Sequence, residues 1–319
     1  MTAPGIPLVP DADVRSVVTP ADALAAVRDA WADLGAERLS LSSPAITRLG
    51  GAPHGFSLKG ALLDRYGVAG VRVTPTHTGG RNSWCLVLES ESGRPLVAVE
   101  ESWLYRLRTA ASAAVAARLL ARRDTEVVTV VGAGRIGRLM PAVFAEAFPL
   151  REIRVVARRA ESAAAFAAEA AGCGVPVVPG TDLEAAAPGS DVLVAITSSR
   201  EPVVHARHLS PGGTLLGLGG GAELAADVLT GSATGRAVDR LYVDDLGYAR
   251  EVGSIGAWLD AGLPPETLAA RLSGSLPEVA AGLLPGRTDP GETVLGVVQG
   301  VAACDVALAC LAMRRLGIS

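Results

Sequence analysis

The run Gly132-Ala133-Gly134-Arg135-Ile136-Gly137 constrains this chain most, because it follows directly on the β-rich stretch Val127 to Val131 and opens a helix. At such a place the first glycine permits a tight turn and the second lets the backbone approach a pyrophosphate. The third lets helix and strand pack closely, while the free N–H groups of the helix start face the anion. A tight βα turn without a ligand is the plain alternative, and the surroundings weigh against it. After the loop come a helix over 135–148, EIRVVARR, an Ala-rich helix over 160–171, VPVV, a short helix near Leu183, and DVLVAITS. Further strands are expected at GTLLGLG and RLYVDD. Alternation of apolar strands with helices is the sequence form of a doubly wound parallel sheet, so the class is α/β.

Upstream the periodicity is different. Thr19 and Pro20 read as an N-cap and first helical position, with Leu24, Val27, Trp31 and Leu34 on one face of the helix that follows. From Gly67 to Glu100 the runs VAGVRVTP, SWCLVLES and PLVAVE, the last two joined by a turn at Glu91-Ser92-Gly93, predict an antiparallel sheet. Ser102 is placed to cap a long Ala-rich helix ending near Arg122. These boundaries give a first domain over 1–122, a Rossmann domain over 123–289, and a C-terminal segment over 290–319 that returns to the first domain.

With 319 residues and 49% hydrophobic content, the chain has ample material for two cores. A net charge of −4 without long basic runs disfavours nucleic acid or an anionic membrane as partner and leaves a small molecule. Cys85, Cys173, Cys304 and Cys310 lack metal-ligand spacing, so reduced thiols and no metal are expected. The N-terminus lacks the pattern of a secretory signal, which points to the cytoplasm. Val294 to Met313 is long and apolar, yet Gln299, Asp305 and its glycines favour a buried strand-turn-helix over a membrane span. Lys59 is the single lysine among 29 basic residues. Either it is kept for a compact, titratable ammonium or it is a chance survivor of an Arg-rich composition.

NAD enzymes place a carboxylate at the end of the second Rossmann strand, on the ribose hydroxyls. Here that position is Ala157, followed by Arg158 and Arg159, which suits a 2′-phosphate. NADP(H) is therefore preferred, with NAD(H) and a ribose-binding acid such as Glu161 as the alternative.

Several runs occur in the order and spacing of one family: LYRLRTAASAAVAARLLA, VVGAGRIG, ARRAESAAAFA, SDVLVAITSSREPVV, PGGTLLGLGG, YVDD, PGRTDPGETV and GVAACDVALA. From about Gly67 onward the chain resembles the ornithine cyclodeaminase/mu-crystallin family. The resemblance implies an NAD(P)-dependent oxidoreductase acting on a CH–NH or C=N bond. It also implies a homodimer, in which an α+β domain built from the N-terminal segment and the last helix binds substrate and dimerises. Arg108 matches the family's carboxylate-binding arginine, and Thr109 a residue close to the cofactor. A surface Arg108 pairing with Glu100 or Glu101 is the other option. The cofactor-binding set is then Thr109, Gly132, Ala133, Gly134, Arg135, Ile136, Arg158, Arg159, Thr197, Ser198 and Gly219.

Two departures stand out. The family's catalytic lysine is Arg72 here, which does not exchange protons near neutral pH. The aspartate that the cyclodeaminases carry is also missing from Gly219-Gly220-Gly221-Ala222-Glu223; substitution by Glu223 is an open alternative that the spacing does not require. Lys59 falls where many members carry a methionine-proline-alanine motif, beside the expected pocket. The expected catalytic set is thus Lys59, Arg72 and Arg108, with Lys59 moving protons. His54 or His77 in the pocket is an option, but all four histidines stand in loop-like segments and are read as ordinary. The leading function is reduction of a carboxylate-bearing imine, or the reverse amino-acid dehydrogenation. Ornithine or lysine cyclodeamination with bound NAD, and a non-catalytic NADPH-binding protein, are the alternatives.

Overall fold

The computed structural model describes residues 5–51, 54–76 and 82–318. A mostly antiparallel sheet comes first. It is built from β1 (Leu8–Val9), β2 (Leu39–Leu41), β3 (Thr47–Leu49), β4 (Phe56–Leu63), β5 (Val68–Pro75), β6 (Trp84–Glu89) and β7 (Pro95–Glu100). Their order is β1-β7-β6-β5-β4-β2, with β3 also paired to β4, and only β1 runs parallel to its neighbour. The sheet is wider than the runs after Gly67 suggest, because β4 hides its alternation. Its inward positions are Lys59, Ala61 and Leu63, while Leu62 points out.

Two helices, α1 (Asp11–Val17) and α2 (Pro20–Gly35), belong to this domain. Thr19 caps α2 through a reciprocal box with Asp22, as Thr19-Pro20 predicts. Ser102 does not cap the next helix, α3 (Leu104–Leu120). Its hydroxyl turns to Glu100 Oε1, and the Trp103 N–H donates instead to Asp11 Oδ1 at 2.6 Å. A long-range cap of that kind leaves no local sequence signal. Apart from Tyr105, Arg106, Arg118 and Leu119, every residue of α3 is buried, so this Ala-rich helix is a shared core element of both domains.

The second sheet is wholly parallel. Its strands are β8 (Val127–Val131), β9 (Glu152–Val156), β10 (Val177–Gly180), β11 (Val192–Ala195), β12 (Thr214–Gly217), β13 (Arg240–Val243), β14 (Leu272–Ser275) and β15 (Val294–Val297). The helices between them are α4 (Met140–Ala147), α5 (Ala160–Glu169), α6 (Leu183–Ala186), α7 (Asp227–Thr230), α8 (Leu246–Glu251), α9 (Gly253–Asp260), α10 (Pro265–Arg271) and α11 (Leu276–Ala280). The order β10-β9-β8-β11-β12-β15-β13-β14 reverses between β8 and β11, which is the switch point of a doubly wound sheet. The helix expected over 135–148 begins as a tighter turn over Gly137–Leu139 before α4.

One correction concerns the end of the chain. Residues 290–319 do not return to the first domain as a unit, because β15 inserts between β12 and β13. Only α12 (Ala302–Arg315) crosses back, packing on α2, α3, β4 and β5. The apolar stretch is thus a buried strand-turn-helix, and no helix of the described residues is long and apolar enough to cross a membrane. The four cysteines are free, and no metal-binding group of side chains exists among the described residues.

Candidate active site

A cleft opens at the switch point, over the carboxyl ends of β8, β11 and β12. Gly134, Arg135, Ile136 and Gly137 line it from the glycine loop, Thr197 and Ser198 after β11, and Gly219 after β12. Gly132 holds φ +122°, and any side chain there would strike the Ile196 carbonyl. A Cβ on Gly137 would strike the Gly132 carbonyl, whereas Gly134 faces open space. Tight turn, open approach and close packing are therefore distributed as a pyrophosphate-binding loop requires, and the residues fit a nicotinamide dinucleotide. Gly132 and Ala133 shape the loop without lining the cleft.

Beside this cleft, in the first domain, three cations are buried together. Lys59 and Arg72 are each 7% exposed and Arg108 is 2% exposed. Lys59 and Arg72 come from directly opposed positions of β4 and β5, and Arg108 from α3. Burial of such charges is costly unless each is paired, and the pairing is specific. Arg72 Nε donates to Glu101 Oε2 at 2.6 Å, and Arg108 Nε donates to Asp305 Oδ1 at 2.7 Å. Glu101 and Asp305 are themselves buried, and each keeps one oxygen, Oε1 and Oδ2, without a hydrogen bond. Among the described residues the Nη groups of both arginines make no hydrogen bond. Tyr105 lies against both guanidiniums, 4.3 Å from Arg72 and 5.2 Å from Arg108, and also lines the cofactor cleft. Arg108 thus pairs with neither Glu100 nor Glu101. Gly300, at φ +87°, leaves room for its guanidinium where any Cβ would collide.

Lys59 Nζ donates to the Gly300 carbonyl at 2.9 Å and sits 3.7 Å from the centre of the Tyr248 ring. Burial, then the positive charge of Arg108 and Arg72, lower its pKa to about 7, against the opposing pull of Asp305 and Asp244. Asp244, of the YVDD run, accepts from the Gln299 and Gly300 N–H groups at 3.0 and 2.6 Å, fixing the turn that carries the Gly300 carbonyl. Burial raises its pKa and those two N–H groups oppose the rise. Glu101 is likewise raised by burial, with Arg72 opposing.

Glu223 is bonded to the loops of the glycine-lined cleft rather than to the cationic cluster. It is fully buried, and its two oxygens accept from Thr197 N and Oγ1 at 2.7 and 2.8 Å and from Leu218 N and Gly219 N at 3.2 and 2.5 Å. Its carboxylate staples together the two loops that floor the cofactor cleft.

The remaining expected residues scatter more widely. Thr109 is buried one turn into α3, its hydroxyl donating to the Tyr105 carbonyl at 2.8 Å, and it does not line the cleft. Arg158 and Arg159 are exposed after β9, where Arg159 Nε donates to Ser162 Oγ at 3.3 Å. His205 faces Asp227, and His208 accepts from His205 N and meets Glu184, so both shape a turn. His54 is exposed. His77 lies outside the described residues. Sequence reasoning missed Glu101, Asp305, Asp244, Tyr105 and Tyr248 as parts of the site. An acid inside the apolar Val294–Met313 stretch was the available signal for Asp305, since a buried carboxylate needs a cation.

A doubly wound dinucleotide domain with a buried cationic cluster beside its switch point defines an NAD(P)-dependent oxidoreductase of two domains. The chain belongs to the ornithine cyclodeaminase/mu-crystallin family, whose sequence profile matches residues 70–316. It is 32% identical over 322 residues, 97% of this chain and 95% of the relative, to a candidate dehydrogenase of Rhizobium meliloti (strain 1021). It is 28% identical to the iminosuccinate reductase of Paracoccus denitrificans (strain Pd 1222), over 71% of this chain and 68% of that protein. Among solved structures, a candidate ornithine cyclodeaminase from Bordetella pertussis Tohama I superposes with a TM-score of 0.86 at 26% identity, covering 98% of this chain and 97% of that one.

Proposed function

We propose that the protein is an NADP(H)-preferring reductase of carboxylate-bearing imines that also runs in reverse as an amino-acid dehydrogenase. One observation carries this reading: two buried guanidiniums, each held through Nε by its own carboxylate, keep Nη groups without a hydrogen bond close to an ammonium whose pKa is lowered to about 7. A planar carboxylate suits those Nη groups through charge-assisted hydrogen bonds. Arg108 and Arg72 grip it and orient the C=N bond toward the glycine-lined cleft. When bound, the cofactor supplies or accepts a hydride. Lys59 Nζ gives the accompanying proton to the nitrogen, so that imine, hydride and proton yield the amine, and in reverse it takes that proton back. The iminosuccinate reductase relative supports a substrate of this class.

Arg158 and Arg159 receive the 2′-phosphate in this reading, with NAD(H) the weaker cofactor. Thr109 positions the Tyr105 turn that borders both sites, which is a more indirect role than direct cofactor contact. A cytoplasmic homodimer is part of the proposal. Support for the dimer comes from Leu8, Leu49, Phe56 and Leu62, exposed apolar side chains of the first domain's sheet.

The test is NADPH oxidation with cyclic and linear 2-carboxy imines, the latter formed from 2-oxo acids and amines. Turnover that needs the carboxylate is expected. Absence of turnover with tightly bound NADPH would favour a non-catalytic binding protein.

A further inference from the structure

The first turn of α3 carries an arginine that the fold does not use. Arg106 is half-buried and lines the same cleft as Gly134, Ile136 and Gly219, approaching it from the first domain. Among the described residues its side chain has no hydrogen bond and no ion pair. The acid beside it, Asp11, is already committed: Oδ2 takes Arg15 Nε and Nη2 at 3.0 and 2.8 Å, and Oδ1 takes the Trp103 N–H. Arg135 of the glycine loop lines the cleft too, and its charge repels Arg106. A cation in the first turn also opposes the helix dipole. Burial and this repulsion together lower the Arg106 pKa. For the folded protein alone, then, burial and the repulsion of Arg135 outweigh the attraction of Asp11 and Tyr105, so Arg106 is a net electrostatic cost. An anion bound between the two arginines offsets that cost.

We infer that Arg106 is a cofactor-binding residue, which reaches from the first domain over the pyrophosphate of the dinucleotide and clamps it against the glycine loop. The inference rests on the reading of the cleft as a nicotinamide dinucleotide site. It adds that the phosphates tie the two domains together, because Arg106 belongs to one and Gly134 to the other. Nucleosides without phosphate gain nothing from it.

Titration of the full chain with NADPH, ADP-ribose and adenosine, followed by calorimetry or fluorescence, separates the outcomes. In Arg106→Gln, NADPH and ADP-ribose should weaken together by ten-fold or more, with adenosine unchanged and a shallower dependence of affinity on salt. Arg106→Lys should recover part of the loss. The melting temperature of the cofactor-free variant should equal or exceed that of the unsubstituted chain, since a repulsive contact has gone. Wild-type affinity of Arg106→Gln for NADPH and ADP-ribose overturns the inference while leaving the dinucleotide reading intact. A lowered melting temperature with equal loss for all ligands, adenosine included, marks Arg106 as structural and also overturns it. If the unsubstituted chain binds none of the dinucleotides, both fall.

Discussion

Lys59 and Arg72 stand directly opposite each other across the β4–β5 ladder, and both side chains are buried on the same face of the sheet. That face therefore keeps an ammonium although the β5 position that the resemblance matches to the family's lysine is arginine. In the proposed mechanism the proton-exchanging group stands one strand over, at Lys59. Arg72 on β5 has an acid partner, Glu101, which holds it through Nε.

This placement gives a pH prediction with a definite sign. With Lys59 lowered to about 7, reduction should lose kcat/KM as pH rises through that value, and the reverse oxidation should gain. Because Lys59 is the sole lysine, lysine labelled with 13C at Cε gives one resonance whose titration reads its pKa directly. A midpoint near 7 is expected, moving up in Arg108→Gln as a repelling charge is lost; a midpoint near the ordinary 10.5 refutes the assignment. Stability carries the same signature. Between about 7 and 10.5 the unfolded chain holds a proton that the folded chain has lost, so stability should rise with pH across that window, and less so in Lys59→Met.

Arg108 is predicted to act through geometry rather than charge alone. Arg108→Lys retains a cation near Asp305 but not the pair of Nη groups, so KM for a carboxylate substrate should rise and kcat/KM fall by roughly 10- to 100-fold, with cofactor affinity unchanged. Asp305→Asn should move kcat/KM in the same direction, since it releases the guanidinium that Asp305 holds. Native steady-state kinetics in both variants would show that the carboxylate binds elsewhere.

The proposed cofactor preference rests on exposed groups, so a modest size is expected. NADPH should bind about ten-fold or more tightly than NADH, from charge-assisted contacts of about 1.5–3 kcal/mol. In an Arg158→Ala/Arg159→Ala double variant the two affinities should converge. Equal affinities from the start, unaltered by the substitutions, would return the ribose to another group.

What was legible in the sequence was what local pattern encodes. The glycine loop, the strand-helix alternation and the Thr19 cap all act within a few residues of themselves. Long-range features were not legible. Ser102 has the right residue type for a cap, yet Asp11 supplies the contact from α1. Strand β15 joins the parallel sheet because Val294–Val297 is apolar on both faces, a property that names no sheet partner. Residue type and resemblance single out Lys59, Arg72 and Arg108, but the acids Glu101 and Asp305 are 29 and 197 positions away from the arginines they hold. Pairing across such separations is visible only in the fold.

The last prediction separates redox-only chemistry from cyclodeamination. A cyclodeaminase oxidises an amino acid, expels ammonia, closes a ring and reduces the product again, so protons must move at the departing amine as well as at the imine. Here the β5 lysine is an arginine, and the carboxylate nearest the missing aspartate, Glu223, accepts four hydrogen bonds from Thr197, Leu218 and Gly219. The proposed mechanism leaves Lys59 to carry protons by itself. The expected result is stoichiometric NADPH consumption with 2-carboxy imines, and no ammonia in excess of cofactor from ornithine, lysine or related diamino acids. Glu223→Gln supplies the structural arm, because an amide keeps the shape but not the charge that holds the loop N–H groups. It should weaken cofactor binding and lower the melting temperature while leaving the pH midpoint of kcat near that of Lys59. Ammonia released catalytically with no net change in NADP(H), and abolished in Glu223→Gln at saturating cofactor, would instead assign Glu223 the proton-transfer role and make the enzyme a cyclodeaminase.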